Sequence, residues 1–455
     1  MDDREKTEKE LGEEKVGRLL VRYSLPAIVA MTASSFYSIV DRIFIGQGVG
    51  PYAIAGLALT LPLMNLAIAF GAMVGVGAAT LTSIRLGEGR SEEAEHILGN
   101  TVVLNAVFGT LYSLTMLVFL DPLLRLFGAS AETLPYAKSF MQVILLGNPF
   151  LHTYMGLNSL MRSSGHPRKA MVATLSTVGA NIVLAPLFIF GLHWGIRGAA
   201  LATVGSQLVG LAIALVHFSD PGRSVHFRRG IYSVDMSIVR GIFAIGMSSF
   251  FMQIGASLTS AILNIQLVRH GGDFGVGAFG IVNSLLMVTV MIVFGIIQGM
   301  QPIAGFNYGA RRFGRVMRVL RHAIVGASLV TCFGFLVGEI FPGLVVSAFT
   351  RDPQLRSMAS RGMRLCFLAL PLAGFQIATA SFFQSIGRAK LSIYLSLSRQ
   401  MGFLIPFLFI LPRLWGLSGV WASIPASDFA SSILTYGVFR YERKRIQGLD
   451  APEEG

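Results

Sequence analysis

One acidic side chain stands inside an otherwise apolar run, Ser34-Ser35-Phe36-Tyr37-Ser38-Ile39-Val40-Asp41-Arg42-Ile43-Phe44-Ile45-Gly46. Holding an ionised aspartate at mid-bilayer costs roughly 2.5–3.5 kcal/mol on insertion scales, so such a residue faces a polar cavity or a partner. A carboxylate that alternates between charged and neutral is also the simplest coupling device for ion-driven transport. Tyr37 lies four residues before Asp41, on the same helix face, and could donate a hydrogen bond to it. The structural alternative is a pair with Arg42, but sequence neighbours point about 100° apart on a helix.

The other polar residues in apolar runs are few. Arg399 and Asp428 lie about 15 Å and about 18 Å along neighbouring helices from their charged ends, counted at 1.5 Å per residue, which suits a buried ion pair. Glu339 falls near a helix end, His152 reads as a packing histidine, and Arg361 and Arg364 open a helix from which they can snorkel outward. Asn158, Asn181, Asn264, Asn283, Gln253 and Gln376 must face protein or water if their helices cross lipid. Met64 and Met287, with Tyr154 and Phe36, offer soft and aromatic surface of the kind that tolerates many apolar cations. Each of these also reads as core or lipid-facing filler. Cys332 and Cys366 lie within apolar runs as packing residues. The chain has no metal-spaced His/Cys set, nucleotide-binding glycine loop or nucleophile elbow, so no enzyme is expected, and no cofactor beyond a coupling ion.

The elements that must position these residues follow from composition. Of 455 residues, 53% are hydrophobic and only 13% charged, about half the usual soluble fraction of roughly 25%. Apolar runs of about 20 residues recur, the length that spans about 30 Å of hydrocarbon. They are continuously apolar rather than alternating, which excludes a barrel and leaves helices. Twelve spans are expected near 19–45, 53–83, 95–120, 134–160, 168–191, 197–218, 237–268, 276–305, 317–345, 355–384, 390–411 and 416–438. The net charge of +13 sits in short loops beside these spans, a topology signal rather than a nucleic-acid surface. One side collects Arg18, Arg85, Arg162, Arg228, the run from Arg311 to Arg321, Arg388 and the tail Arg440 to Arg445; the alternate loops hold singles such as Arg125, Arg351 and Arg413. Both termini therefore read as cytoplasmic. Some basic clusters could also hold anionic lipid head groups.

The halves repeat. Gly165 in Arg162-Ser-Ser-Gly aligns with Gly387 in Gln384-Ser-Ile-Gly, an offset of 222 (387 − 165). Phe127 to Ala137 aligns with Phe349 to Ala359, Asn148-Pro149 with Leu370-Pro371, and Gly195-Ile-Arg-Gly with Gly416-Leu-Ser-Gly. Six spans per half is an even number, so the halves share an orientation and are related by an axis along the membrane normal. The expected parts are a charged segment 1–18, an N-lobe 19–218, a basic linker 219–235, a C-lobe 236–440 and a tail 441–455.

Several stretches together resemble the multidrug and toxic compound extrusion (MATE) family. They are Tyr37 to Asp41, the turns Arg85-Leu-Gly-Glu-Gly-Arg and Gly305-Phe-Asn-Tyr-Gly-Ala-Arg-Arg, Asn181-Ile-Val-Leu-Ala-Pro186, Ser398-Arg399-Gln400 and Pro425-Ala-Ser-Asp428. The resemblance covers essentially all twelve spans. It implies an all-α integral membrane protein of two six-helix lobes, acting as an antiporter that exports amphipathic organic cations and drugs against H⁺ or Na⁺. It implies a coupling-ion site in the N-lobe at Asp41, Asn181 and Thr203, with Tyr37 beside it. The fourth expected position, an Asp before Pro186, is Ala185 here. Members with a C-lobe acid pair carry carboxylates in the seventh and tenth spans, and this chain offers only Gln253 and Gln376 in those spans. With one carboxylate, a proton suits the site better than Na⁺, which Asp41, Asn181 and Thr203 would otherwise ligate. Solutes are expected to touch Phe36, Met64, Tyr154, Asn158, Gln253, Asn264 and Met287. The expected setting is a monomer in the plasma membrane, contacting lipid and small molecules but no nucleic acid. A flippase for a lipid-linked oligosaccharide or other amphipathic lipid is the alternative. Its pyrophosphate head group would want several cavity cations, and the spans offer chiefly Arg42, Arg364 and Arg399.

Overall fold

A computed structural model describes residues 3–448, and no strand occurs among them. Residues 1–2 and 449–455, the outer ends of the expected N-terminal segment and tail, lie outside the described residues. The helices are α1 (Asp3–Glu13), α2 (Val16–Gly48), α3 (Pro51–Gly87), α4 (Ser91–Leu126), α5 (Leu134–Ser163), α6 (Pro167–Pro186), α7 (Gly195–Phe218) and α8 (Met236–Gly309), then α9 (Phe313–Ile340), α10 (Pro342–Ser347), α11 (Pro353–Phe367), α12 (Leu370–Ser385), α13 (Ala389–Leu397) and α14 (Ile405–Gly448). Two π-helical turns, Leu187–Gly191 and Ser398–Leu404, follow α6 and α13. Helix α8 is two spans joined at Gly272 and α14 is broken at Gly416; both glycines have φ near +55°, which a side chain would resist. Helices α11 and α12 are the two arms of one span bent by 49°. With these breaks the described residues make the twelve spans of a polytopic membrane protein. Pro371 accordingly sits in the first turn of α12, where it costs no helical bond, and not inside a continuous span as expected from its sequence position.

The chain forms two compact units. Among the described residues, unit 1 comprises the stretch up to Glu14 and 29–250, and unit 2 comprises 15–28 and the stretch from Phe251 onward. Helix α2 thus contributes its first turns to unit 2 and the rest, with Asp41, to unit 1.

Within unit 1, α5 packs on α3, α4, α6 and α7. Gly71 and Gly75 of α3 meet His152 and Gly156 of α5, one turn apart, so the helices run side by side in close contact. The linker after α7 is pinned to α4. Asn100 donates to the Ser233 carbonyl at 3.1 Å and accepts the Asp235 N–H at 3.0 Å, while Glu95 meets Arg228 at 3.0 Å. In unit 2, Gly295 and Gly299 of α8 face Ile28 and Ser24 of α2, and the Ser24 hydroxyl donates to the Ile296 carbonyl at 3.3 Å.

The two units share one internal plan. Buried Ile45, Leu124, Ala137, Met141 and Leu145 belong to the core of unit 1; Leu267, Val346, Ala359, Met363 and Phe367, each 222 positions later, belong to the core of unit 2. Left-handed backbone recurs at the same offset: Gly50 and Gly272, Gly89 and Arg311, Gly165 and Gly387.

A Cβ on Gly299 would lie 2.6 Å from the Ser24 nitrogen, whereas one on Gly280 meets nothing within 4 Å. Gly299→Ala should therefore destabilise the protein by about 1–3 kcal/mol, the usual cost of overpacking. Gly280→Ala should leave stability unchanged or slightly raised. Thermal unfolding in detergent tests both, and equal midpoints for the two variants would refute the contact.

Candidate functional site

Asp41 lies two turns before the end of α2, in unit 1, and is partly buried. Its Oδ1 is enclosed and accepts no hydrogen bond from any described residue. Arg42 is exposed. An apolar helix therefore carries a carboxylate oxygen that neither protein nor bulk water satisfies. Such a group is costly unless it is neutral or meets a cation.

Tyr37, one turn earlier, does not donate to Asp41 as its spacing suggested. Its hydroxyl instead lies 3.4 Å from the Thr203 hydroxyl on α7 and accepts from the Asn181 amide on α6, also at 3.4 Å. Tyr37, Asn181 and Thr203 thus form one cluster from three helices. Thr203 is held by a bond to the Ala199 carbonyl at 3.1 Å. Asn181 is buried, one turn before the regular helix gives way at Pro186 to the π turn. Ala185 is fully buried in the unit 1 core with Ile45 and Ile189, so no second carboxylate enters the cluster there. The cluster offers an amide and two hydroxyls, one turn of α2 from the carboxyl group of Asp41.

The remaining candidates are dispersed. Met64 is half-buried against the same core, with the Thr60 hydroxyl 3.7 Å from its sulfur. Phe36 is exposed on α2. Gln253, Asn264 and Met287 belong to unit 2, half-buried in the first case and exposed in the other two. Gln376 is buried and donates to the Leu395 carbonyl at 3.3 Å.

Tyr154 and Asn158 join a network that sequence reading missed. The Asn158 amide donates to the Ala170 carbonyl at 3.0 Å and approaches the Tyr154 and Thr174 hydroxyls at 3.4 Å. Its carbonyl oxygen accepts from Arg162, which also donates to Ser159 at 3.0 Å. Arg162 had the look of a loop charge marking topology. The signal for its role was periodicity, since Tyr154, Asn158 and Arg162 recur every four residues on α5. His152 is buried beside Gly71 of α3.

In unit 2, Arg399 Nε donates to Asp428 Oδ1 at 2.7 Å, from the π turn to the second half of α14. The carboxylate is almost wholly buried while the guanidinium keeps a quarter of its surface. Removing one partner strands a charge. Arg399→Gln and Asp428→Asn should each cost about 3–5 kcal/mol, and the double variant should recover most of that loss. Thermal unfolding of the three proteins checks the pair; additive losses would show that the two groups act independently.

Comparison with known proteins gives a consistent likeness. The MatE family profile matches the chain twice, over residues 26–187 and 248–410. The multidrug export protein MepA of Staphylococcus haemolyticus is 26% identical over 434 residues, covering 95% of this chain and 95% of that protein. MepA of Staphylococcus aureus is 28% identical over 421 residues, covering 91% and 92%. Among solved structures, a MOP superfamily transporter from Pyrococcus furiosus has a TM-score of 0.90 at 27% identity and covers 98% of this chain and 99% of its own. An outward-facing multidrug resistance MATE family transporter has the same score and identity, with 97% and 98% covered.

Proposed function

The chain belongs to the MatE family of membrane transporters, and from that premise we propose that it is a multidrug efflux antiporter driven by protons. In this reading it exports amphipathic organic cations across the plasma membrane, with both termini in the cytoplasm. Two relatives named as multidrug export proteins align over nearly the whole chain, which supports the substrate class. The observation that carries the coupling is Asp41: an enclosed oxygen without a hydrogen-bond partner, inside a span.

The chain's own residues suffice for a simple cycle. Asp41 takes a proton from the side of higher proton activity, which removes the cost of an unpaired charge. The neutral side chain then permits the helix cluster to close. Loss of that proton on the other side restores a carboxylate that attracts a cationic solute or disfavours the closed packing. Tyr37, Asn181 and Thr203 keep α2, α6 and α7 in register through this change. Na⁺ is the weaker candidate for the same place. Its oxygens would be one carboxylate and neutral groups, because Ala185 contributes only a methyl.

The test is transport in vesicles loaded with a cationic dye, under imposed pH or Na⁺ gradients. Wild-type protein should exchange dye for protons, and Asp41→Asn should lose at least about tenfold in rate at unchanged expression. Thr203→Ala should act more mildly, since it removes only one neutral hydrogen bond. Undiminished proton-coupled efflux by Asp41→Asn, or drive by Na⁺ alone, would sink the proposal.

A further inference from the structure

Unit 2 contains a cavity of about 360 Å³ at the ends of its spans remote from the carboxyl terminus. It lies between the start of α11 and the break of α14, and is lined by Gln354, Ser357, Met358, Arg361, Trp415, Leu417, Ser418 and Trp421. The lining residues are rich in donors: a guanidinium, an amide, two hydroxyls and two indole N–H groups, with no carboxylate. Arg361 makes no ion pair with any described residue. Trp421 is 2% exposed, and its Nε1 donor has no hydrogen-bond partner. The neighbouring acid, Asp352, is already engaged, accepting the Leu355 N–H at 2.7 Å as the cap of α11.

The internal repeat supplies a control. At Gly362 a Cβ would sit 3.1 Å from Trp421 Cε2, so the indole lies directly on the α11 backbone. The matching positions in unit 1 are Phe140 and Ala200, with large and small residues exchanged. Arg361, Ser357 and Gln354 answer to Ser139, Pro135 and Glu132 there, and Ser418 answers to Arg197. The common fold therefore does not require this donor set; it is particular to unit 2.

A donor-lined cavity with a free guanidinium selects an anion, and the planar fork suits phosphate oxygens. Met358, Leu417 and the exposed Trp415 give the same cavity an apolar side. Helix ends with an exposed tryptophan mark the level of lipid head groups. We propose that this cavity binds the phosphate head of an anionic lipid, with Arg361 and Trp421 Nε1 on the phosphate and Trp415 against the glycerol and first methylenes. This site is separate from the Asp41 cluster and stands whichever ion drives transport.

The three tryptophans make the test direct. Trp194→Phe removes the one in unit 1, leaving Trp415 and Trp421 as reporters in the full-length protein. Brominated phosphatidylglycerol should quench them at about tenfold lower mole fraction than brominated phosphatidylcholine. Arg361→Ser, which installs the residue of the matching position in unit 1, should erase that preference. Arg413→Ser, an exposed arginine outside the lining, should retain it. Trp421→Phe keeps the ring, loses the donor and should weaken the preference severalfold, which covers a failure of Arg361→Ser to fold. Equal quenching by the two lipids in the parent protein, or an unchanged preference in both Arg361→Ser and Trp421→Phe, overturns the proposal. Displacement of the brominated lipid by soluble glycerol phosphate at matched concentration overturns the assignment to lipid.

Discussion

An ionisable group inside hydrocarbon must be neutral, paired or wet, and this constraint orders the polar chemistry of the whole chain. The chain resolves it in two different ways. In unit 2, Asp428 is held by Arg399 at 2.7 Å and is nearly inaccessible. In unit 1, Asp41 keeps an enclosed oxygen without a protein partner, although Tyr37, Asn181 and Thr203 gather one turn away. The paired acid is held in place by its neighbour. The unpaired acid is the one whose protonation state is free to alter the packing around it. The coupling role proposed for Asp41 rests on this difference between the two acids.

The repeat shows how a shared scaffold carries unequal chemistry. Buried positions 222 apart occupy the two cores, and left-handed turns recur at the same spacing. These features are set by packing and backbone sterics, so they tolerate little change. The side chains between them are not so bound. Ala185 fills core space in unit 1, Trp421 lies against Gly362 where the matching positions are Ala200 and Phe140, and the polar residues near Trp421 are replaced by a different set, Glu132, Pro135, Ser139 and Arg197. Duplication fixed the helices; the polar residues diverged on top of them.

Much of this was legible in the residues. Span positions follow from apolar runs, because backbone groups in lipid leave only helices. The repeat is visible through Gly and Pro, which report backbone geometry, where leucines report only apolarity. Asp41 is visible because a charge in such a run is rare. What escaped depends on helix phase. Spans apolar on every side give no amphipathic signal, so sequence could not show that Asn264 and Met287 are exposed or that Gln376 is spoken for by the Leu395 carbonyl. Arg162 looked like a topology charge because it lies beside a loop, yet its donors turn inward to Asn158 and Ser159. Likewise the direction of the Tyr37 hydroxyl is decided by α6 and α7, which are distant in sequence.

The neutral groups one turn from Asp41 bear on the choice of ion proposed for it. A cation in an apolar span needs its charge balanced and its hydration shell replaced by oxygens at fixed positions. Tyr37 and Thr203 already spend contact on each other, and the Asn181 N–H side is turned to Tyr37. Gathering them around an ion would break contacts that hold three helices together. A proton asks for none of that rearrangement, since it needs only the one enclosed oxygen. The proton proposed as the coupling ion makes the least demand on this geometry, and the methyl of Ala185, where a second carboxylate would have met a larger demand, is consistent with that proposal.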